Sequence, residues 1–444
     1  MSKVIKIKKG LNIPLEGAAS DEMTDALSIK KVAIVPDDFP GYTWKVAVKP
    51  GEKVSKGSTL LYAKEDPRVC LTSPLSGEIE EVNRGERRKI MYVSVISDGE
   101  SRKENYDKPV GAESVKEALL KSGLFGMLRQ RPFDIVPFVD IVPRDIFVTA
   151  FDTAPLAGQM IGQEEYPMLE AGLEALSLLT PGKVYLSVKK GSGLESRIAE
   201  TVEFEGPHPA GNVGTQIAAI APVNKGETVW TLDAETAVRI GRLVNTGELD
   251  FQTRVALTGG EMKNPHIVKT IIGASLEDLL KGELKTGEGK IRVISGNVLT
   301  GVMVNAQDGY LRYPYRQITA IPEGDDADEF MGWASLNPAK YSVKKTFPTF
   351  LHGLTKPFKF DARVKGGHRA MILSGEYDKV FPMDIYPEYL IKAIMAKDIE
   401  RMEQLGIYEV APEDFALPEF VDTSKIELQK LVREGLDYLR HETL

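Results

Sequence analysis

The 444-residue chain holds 56 basic and 64 acidic residues, a net charge of −8, with apolar residues at 42% and charged residues at 27%. This composition is ordinary for globular protein and excludes disordered and fibrous classes, and the mixed, slightly acidic balance argues against a nucleic-acid-binding surface. Length implies roughly three or four domains, because a single hydrophobic core does not grow this large.

Cys70 is the sole cysteine, which excludes an intrachain disulfide framework and a cysteine-ligated iron–sulfur cluster held by this chain. The five histidines (His208, His266, His352, His368 and His441) are nowhere at a metal-ligand spacing such as HExxH. No window reaches the roughly 18 to 20 consecutive apolar residues of a transmembrane helix. The opening Val4-Ile5-Lys6-Ile7-Lys8 alternates, unlike a signal peptide. The expectation is a soluble, cytoplasmic chain that reaches a membrane only through partners.

Residues 32–98 read as short strands between glycine turns. Val48-Lys49-Pro50-Gly51-Glu52-Lys53-Val54-Ser55-Lys56-Gly57-Ser58-Thr59-Leu60 and Ser73-Pro74-Leu75-Ser76-Gly77-Glu78-Ile79 resemble the two halves of a biotinyl/lipoyl carrier domain, a barrel-sandwich hybrid. Carrier domains place their modifiable lysine on the hairpin between those halves. Here Asp66-Pro67-Arg68 occupies that tip, and Lys64 is expected still to lie within the strand. Neither Pro nor Arg takes an amide-linked cofactor, so the reading is a structural module without biotin or lipoate rather than a swinging arm.

Residues 111–249 open with a helical pattern at Val115, Leu119 and Leu120 that ends at Ser122-Gly123. The run Leu124-Phe125-Gly126-Met127-Leu128-Arg129-Gln130-Arg131-Pro132-Phe133 follows. Strands are expected over 145–150, 183–188, 217–222 and 228–232, with helices between them such as 168–179. Such alternation implies a Rossmann-like α/β layer with a mainly parallel sheet.

Residues 254–294 read as strand, glycine/proline turn, strand and a short Ser-capped helix, similar to the soluble-ligand-binding β-grasp family. From about residue 381 the chain is helical, with one apolar stripe over 389–405 and a second helix over 426–439. Residues 411–418, bearing prolines, are expected to be loop. The methionines of the stripe are assigned to core packing.

The resulting division is an N-terminal strand or extension (1–31), barrel-sandwich hybrid (32–105), Rossmann-like α/β domain (106–252), β-grasp domain (253–330), and linker with C-terminal helical domain (331–444). This domain order, the start Ile5-Lys6-Ile7-Lys8-Lys9-Gly10-Leu11-Asn12-Ile13-Pro14 and the run Gly206-Pro207-His208-Pro209-Ala210-Gly211-Asn212-Val213-Gly214-Thr215 together resemble the A-subunit family of the sodium-translocating NADH:quinone oxidoreductase (Na+-NQR). That family is related to the flavin subunit of complex I, as well as to the C subunit of the Rnf type. The resemblance covers essentially the whole chain. It implies a peripheral subunit on the cytoplasmic side of the cell membrane, partnered by integral and flavin-bearing subunits. NADH oxidation, quinone reduction and sodium export would belong to the complex.

Flavin-binding relatives use a loop of the form GRGGAGFPTG, whose glycines let backbone N–H groups approach a phosphate. Bulky Leu, Met and Arg replace most of those glycines here, so no FMN and no NADH site is expected in this chain. The resemblance implies FMN, FAD and iron–sulfur groups in other subunits, and a quinone site that this chain could help to form. The alternative is a self-contained flavin or nicotinamide oxidoreductase of the Rnf-type C group, opposed by the degraded loop and the missing cysteine clusters.

Candidate contact residues are Arg129, Arg131 and Phe133, with His208, Pro209 and Gly211. The first three either line a pocket mouth for a quinone head or a partner's acidic loop, or form an exposed turn braced by Pro132, which is the preferred reading. His208 is either a ligand or subunit contact or a hydrogen-bonding residue of a rigid loop. Trp44, Tyr313, Tyr315 and Trp333 are assigned to packing, and Asp325-Asp326-Ala327-Asp328-Glu329 to a solvated loop. No catalytic or metal-ligating residue is expected.

Overall fold

Valines and leucines alternating between glycine turns fold the front of the chain into two small antiparallel sheets. The computed structural model describes residues 3–25, 29–287, 289–325, 335–344, 346–349 and 356–443. One sheet runs Lys31–Ile34, Ile90–Ser97, Gly77–Arg84, Lys53–Val54, and the other Trp44–Val46, Thr59–Ala63, Cys70–Thr72. Leu60, Leu61, Ile79, Val93 and Val95 fill the space between them. Gly77 is required by packing, since a Cβ there would lie 2.0 Å from the Ile96 carbonyl oxygen.

Strands Thr59–Ala63 and Cys70–Thr72 meet at the expected hairpin. Lys64 lies one residue beyond the strand and is exposed, not within it. At the tip, Arg68 is ion-paired to Asp66 at 2.6 Å and to Asp140 of the following domain at 3.0 Å.

The central domain carries a sheet ordered Lys3–Lys6, Glu200–Glu205, Val184–Lys189, Ile146–Thr149, Val229–Asp233, Arg129–Arg131. The first five strands are parallel and Arg129–Arg131 is antiparallel. Helices Ala112–Ser122, Tyr166–Ser177 and Ala234–Thr246 pack on it. Tyr166–Ser177 and Ala234–Thr246 touch backbone to backbone, because a Cβ on Gly172 or Gly241 would lie 1.9 Å or 1.8 Å from a carbonyl oxygen of the other helix. Gly123, at φ 79°, ends the first helix where expected.

The expected strand over 217–222 is instead the helix Val213–Ile220. A short apolar run does not separate buried strand from buried helix, and the two alanines at 218 and 219 favour the helix. The strand Glu200–Glu205 takes its place in the sheet.

The β-grasp sheet is ordered Val302–Val304, Ile291–Ser295, Gln317–Pro322, Gln252–Thr258, His266–Ile271, Met23–Asp25. Its short helix Leu276–Leu279 follows Ser275, whose hydroxyl makes no capping bond. The N-terminal segment thus lends one strand to the α/β sheet and one to this sheet.

The expected helix over 389–405 is two helices, Pro387–Ala396 and Ile399–Gln404. Lys397 turns left-handed at φ 54°, and the Asp398 carboxylate accepts the Arg401 N–H at 3.1 Å. The expected loop over 411–418 is also helical, a 3₁₀ turn Pro412–Phe415 running into Ala416–Val421. Its first proline occupies a first-turn position, where a missing N–H costs nothing. Helix Leu428–Thr443 closes the domain. Met402 is buried in this core, whereas Met395 is half exposed.

Trp44 and Tyr313 are packed as expected, and the Tyr315 hydroxyl donates to the Thr300 carbonyl. Trp333 and residues 326–329 of the acidic run lie outside the described residues; Asp325 pairs with Lys290 at 3.3 Å. Barrel-sandwich and α/β side chains form one continuous apolar cluster. A second cluster joins Phe133 and Ile135 to the C-terminal helices, so residues 129–135 link the α/β and helical domains.

Candidate functional site

In a doubly wound sheet, ligands gather beyond the carboxyl ends of the strands where the strand order reverses. Here successive strands leave Ile146–Thr149 on one side toward Val184–Lys189 and return on the other at Val229–Asp233. The reversal therefore lies between Thr149 and Asp233. Asp152 and Thr153 follow the first strand, the 206–212 loop opens onto the same edge, and Asp233 caps the helix Ala234–Thr246 through the Thr236 N–H at 2.7 Å.

The 206–212 loop is clasped by the N-terminal strap. His208 donates its N–H to Asn12 Oδ1 at 2.9 Å and accepts the Leu11 N–H on its carbonyl at 2.8 Å. Its ring Nδ1 meets Thr153 Oγ1 at 3.1 Å, and Thr153 Oγ1 also accepts the Gly211 N–H at 2.9 Å. His208 is 3% exposed, and burial lowers its pKa to about 4 against a partial counter-pull from Asp152. Gly211 has no room for a Cβ, which would meet the Thr153 nitrogen at 2.6 Å. Pro209 is also buried. This arrangement holds a strap in place through a neutral imidazole.

Arg131 is 2% exposed, which overturns the exposed-turn reading of this run. Its guanidinium lies 3.4 Å from Asp414 and 3.5 Å from Asp134. The Asp414 carboxylate accepts the Ala411 N–H at 2.8 Å and crowds Gly214, in the first turn of helix Val213–Ile220, where a Cβ would lie 2.2 Å from Oδ1. Helix N-termini in this fold class favour anions. The Asp414 side chain takes up the space beside this helix start, although its Oδ1 accepts no hydrogen bond there.

Glu413 joins Asp134 and Asp414 in the field of Arg131, while Asp152 acts on Glu413, on His208 and on a second guanidinium, Arg316. Burial, then Asp414, raises the Glu413 pKa to about 8, and burial also raises that of Asp414 despite Arg131. Glu413 is itself exposed, so solvent screens part of this upward push.

Phe133 is buried in the helical core at φ 82°, and its carbonyl accepts from Arg433 at 2.6 Å. Arg129 lies apart from this group. Its guanidinium donates to the Asp38 carbonyl at 2.6 Å and sits 5.9 Å from the ring centre of Phe39 and 5.7 Å from that of Tyr313. Those two rings stack at 5.1 Å, so Arg129 is the α/β domain's part of a junction of three domains. Of the residues singled out in the sequence, Arg131 and His208 lie in this region, while Asp414, Glu413 and Asp152 are not among those singled out. The only signal was Pro-Glu-Asp-Phe at 412–415, a first-turn proline followed by acids, which reads as a helix start.

Three family models match the chain: an NqrA N-terminal barrel-sandwich hybrid domain over residues 5–98, an NqrA second alpha/beta domain over 110–249, and an NQRA C-terminal domain over 254–306. The A subunit of the Na(+)-translocating NADH-quinone reductase of Serratia proteamaculans is 39% identical, covering 99% of this chain and 100% of that protein. The chain belongs to the NqrA family, the A subunits of Na(+)-translocating NADH-quinone reductases. The NqrA protein of Neisseria meningitidis serogroup B is 38% identical over the same shares. A solved NAD+-reducing [NiFe]-hydrogenase covers 76% of this chain and 62% of its own at 12% identity and TM-score 0.37, a likeness too loose to bear on function.

Within this NqrA-family chain, the stretch matching the flavin loop does not fit a flavin phosphate. A Cβ on Gly123 would meet Thr72 Oγ1 at 2.9 Å, and one on Gly126 would meet Leu71 at 2.8 Å. Leu124 and Phe125 are fully buried. The Gly123, Gly126 and Leu128 N–H groups donate to the carbonyls of Leu120, Gly123 and Phe125. The retained glycines serve the docking of the barrel-sandwich domain, which Thr72 and Cys70 extend by donating to the Ser122 and Leu120 carbonyls at 2.8 Å and 3.2 Å. Among the described residues, no group of three His, Cys, Asp or Glu could hold a metal ion, and no helix is long and apolar enough to cross a membrane.

Proposed function

We propose that this chain is a peripheral scaffold on the cytoplasmic side of a sodium-exporting NADH:quinone oxidoreductase, itself carrying no redox cofactor. The observation that carries this reading is the plugged loop at 123–128. Its glycines face the barrel-sandwich domain and its Gly123, Gly126 and Leu128 N–H groups are held in local bonds, which leaves the loop poorly suited to cradle a phosphate. The carboxylate of Asp414 at the Val213–Ile220 helix start supports the same reading for a nucleotide. The carrier-like hairpin is tied to the α/β domain through Arg68 and Asp140, which suits a fixed module rather than a travelling arm.

Flavins and iron–sulfur groups belong, in this reading, to the partner subunits, both integral and flavin-bearing. Arg129, Arg131 and Phe133 bridge domains, and the buried His208, Pro209 and Gly211 belong to the loop that holds the N-terminal strap. Any quinone contact falls to the assembled complex. Flavin and nicotinamide content of the purified chain tests the proposal. The expected result is far below one per chain. Stoichiometric flavin would favour the self-contained oxidoreductase instead.

A further inference from the structure

The charge of this acidic chain is unevenly placed. Residues 335–375 carry eight Lys or Arg and one acid, Asp361, while the whole chain is at −8; among the described residues four of the eight are ion-paired, Lys344 to Glu376, Lys359 to Glu261, and Arg363 and Lys365 to Asp361. This stretch links the β-grasp sheet to the helical domain, and its described residues form no helix or strand. Residues 364–370 are exposed without interruption. Backbone bonds from Ala362 to Pro322 and from Arg369 to Ser424 tie it to the two flanking domains.

Exposed aliphatic side chains are interleaved with the cations. Leu336 is 82% exposed, Val364 63%, Ile372 58% and Leu373 47%. A cationic segment that offers aliphatic side chains to water matches the chemistry of a bilayer surface, where lysine and arginine meet anionic headgroups and apolar side chains enter the acyl boundary. An acidic protein face would use the cations but would leave these scattered aliphatics in water.

We propose that this basic–aliphatic strap, centred on Lys356, Val364, Arg369, Ile372 and Leu373, rests on the anionic lipid headgroups of the membrane. The proposal rests on the peripheral-scaffold reading and adds the face turned to the lipid. Screening confines each interaction to about 8 Å at physiological salt, so the distant acids of the chain do not decide whether Lys356 and Arg369 meet anionic headgroups.

The test is flotation of the full-length chain with vesicles of phosphatidylcholine alone or with a third phosphatidylglycerol. Binding is expected only to the anionic vesicles, weakening as salt rises. Lys356→Gln with Arg369→Gln should weaken it by on the order of tenfold or more, at about fivefold per cation. Ile372→Ser with Leu373→Ser should weaken it at unchanged salt dependence. Circular dichroism of both variants should match the parent, since these side chains are exposed. Equal binding to both vesicle types, no binding to either, or capture by soluble polyglutamate as strong as by anionic vesicles would overturn the proposal. Those outcomes leave the scaffold reading standing, because that reading is decided by co-purification and not by lipid.

Discussion

Replacing Arg131 with Met removes the guanidinium that Asp134, Glu413 and Asp414 share while keeping an apolar side chain of similar length. Breaking a well-made buried ion pair costs about 3–5 kcal/mol, because the abandoned charge stays buried. The structure points to the lower end. Contacts to Asp414 and Asp134 are long, at 3.4 and 3.5 Å, and Arg131 Nε and Asp414 Oδ1 already lack hydrogen-bond partners. Asp414 also has a raised pKa, so it sheds its charge by taking a proton instead of remaining an isolated anion. We expect about 2–3 kcal/mol for Arg131→Met, about 1 kcal/mol for Asp414→Asn, and less than their sum for the double variant.

Global unfolding of a chain with several domains is not two-state, so the readout is native-state hydrogen exchange in helices Ala416–Val421 and Leu428–Thr443. Protection there should fall while the barrel-sandwich strands keep theirs. A change under about 0.5 kcal/mol for Arg131→Met, or a larger cost for Asp414→Asn than for Arg131→Met, would refute the view that this guanidinium fastens the helical domain.

Two further expectations follow from the packing and the titrating groups. Gly241→Ala raises intrinsic helix propensity by about 1 kcal/mol, yet its Cβ would strike the Met168 carbonyl oxygen, so we expect net destabilisation of about 1–3 kcal/mol by native-state hydrogen exchange in the two crossing helices. A stabilised variant would contradict the close helix crossing. His208, with its pKa lowered in the folded state, contributes stability that is complete above about 6.5 and lost as pH falls toward about 4, whereas Glu413, with its pKa raised, loses stability as pH climbs from the ordinary glutamate range to about 8. His208→Gln should flatten the acid limb of a melting-temperature profile and Glu413→Gln the neutral-to-alkaline limb. Unchanged slopes would show that neither group titrates as described.

Much of the fold was legible because the front and middle of the chain obey local rules. Gly51, Gly57 and Gly77 mark turns and a close strand crossing, and Gly123 ends a helix at the expected residue. Sequence and structure part where composition points one way and tertiary packing another. Residues 217–220 read as strand because Ile dominates a short run, but they finish a helix whose buried residues are Gly214, Thr215, Gln216 and Ile217. Pro412 and Pro418 read as breakers and instead sit in helical turns.

The site was legible in part for a related reason. Arg131 and His208 stand out among glycines and prolines, but their partners Asp414 and Asn12 are far away in sequence. A lone sequence shows no pairing across 283 residues, so it favours an exposed arginine where the fold buries one. The degraded glycine loop is recognisable from its bulky residues. That its two surviving glycines face Thr72 and Leu71 is visible only once the barrel-sandwich domain is seated on them.

If this NqrA-family chain works by holding redox partners together and not by carrying a cofactor, its activity must come and go with those partners. Affinity purification of the tagged chain from detergent-solubilised membranes tests this most directly, with bound proteins identified by mass spectrometry and NADH-dependent quinone reduction assayed in the eluate. We predict that integral and flavin-bearing subunits accompany the chain, that the eluate reduces quinone, and that activity and flavin both leave with those subunits when they are stripped away. Recovery of the chain alone, or of NADH-to-quinone activity that stays with the stripped chain, would contradict it.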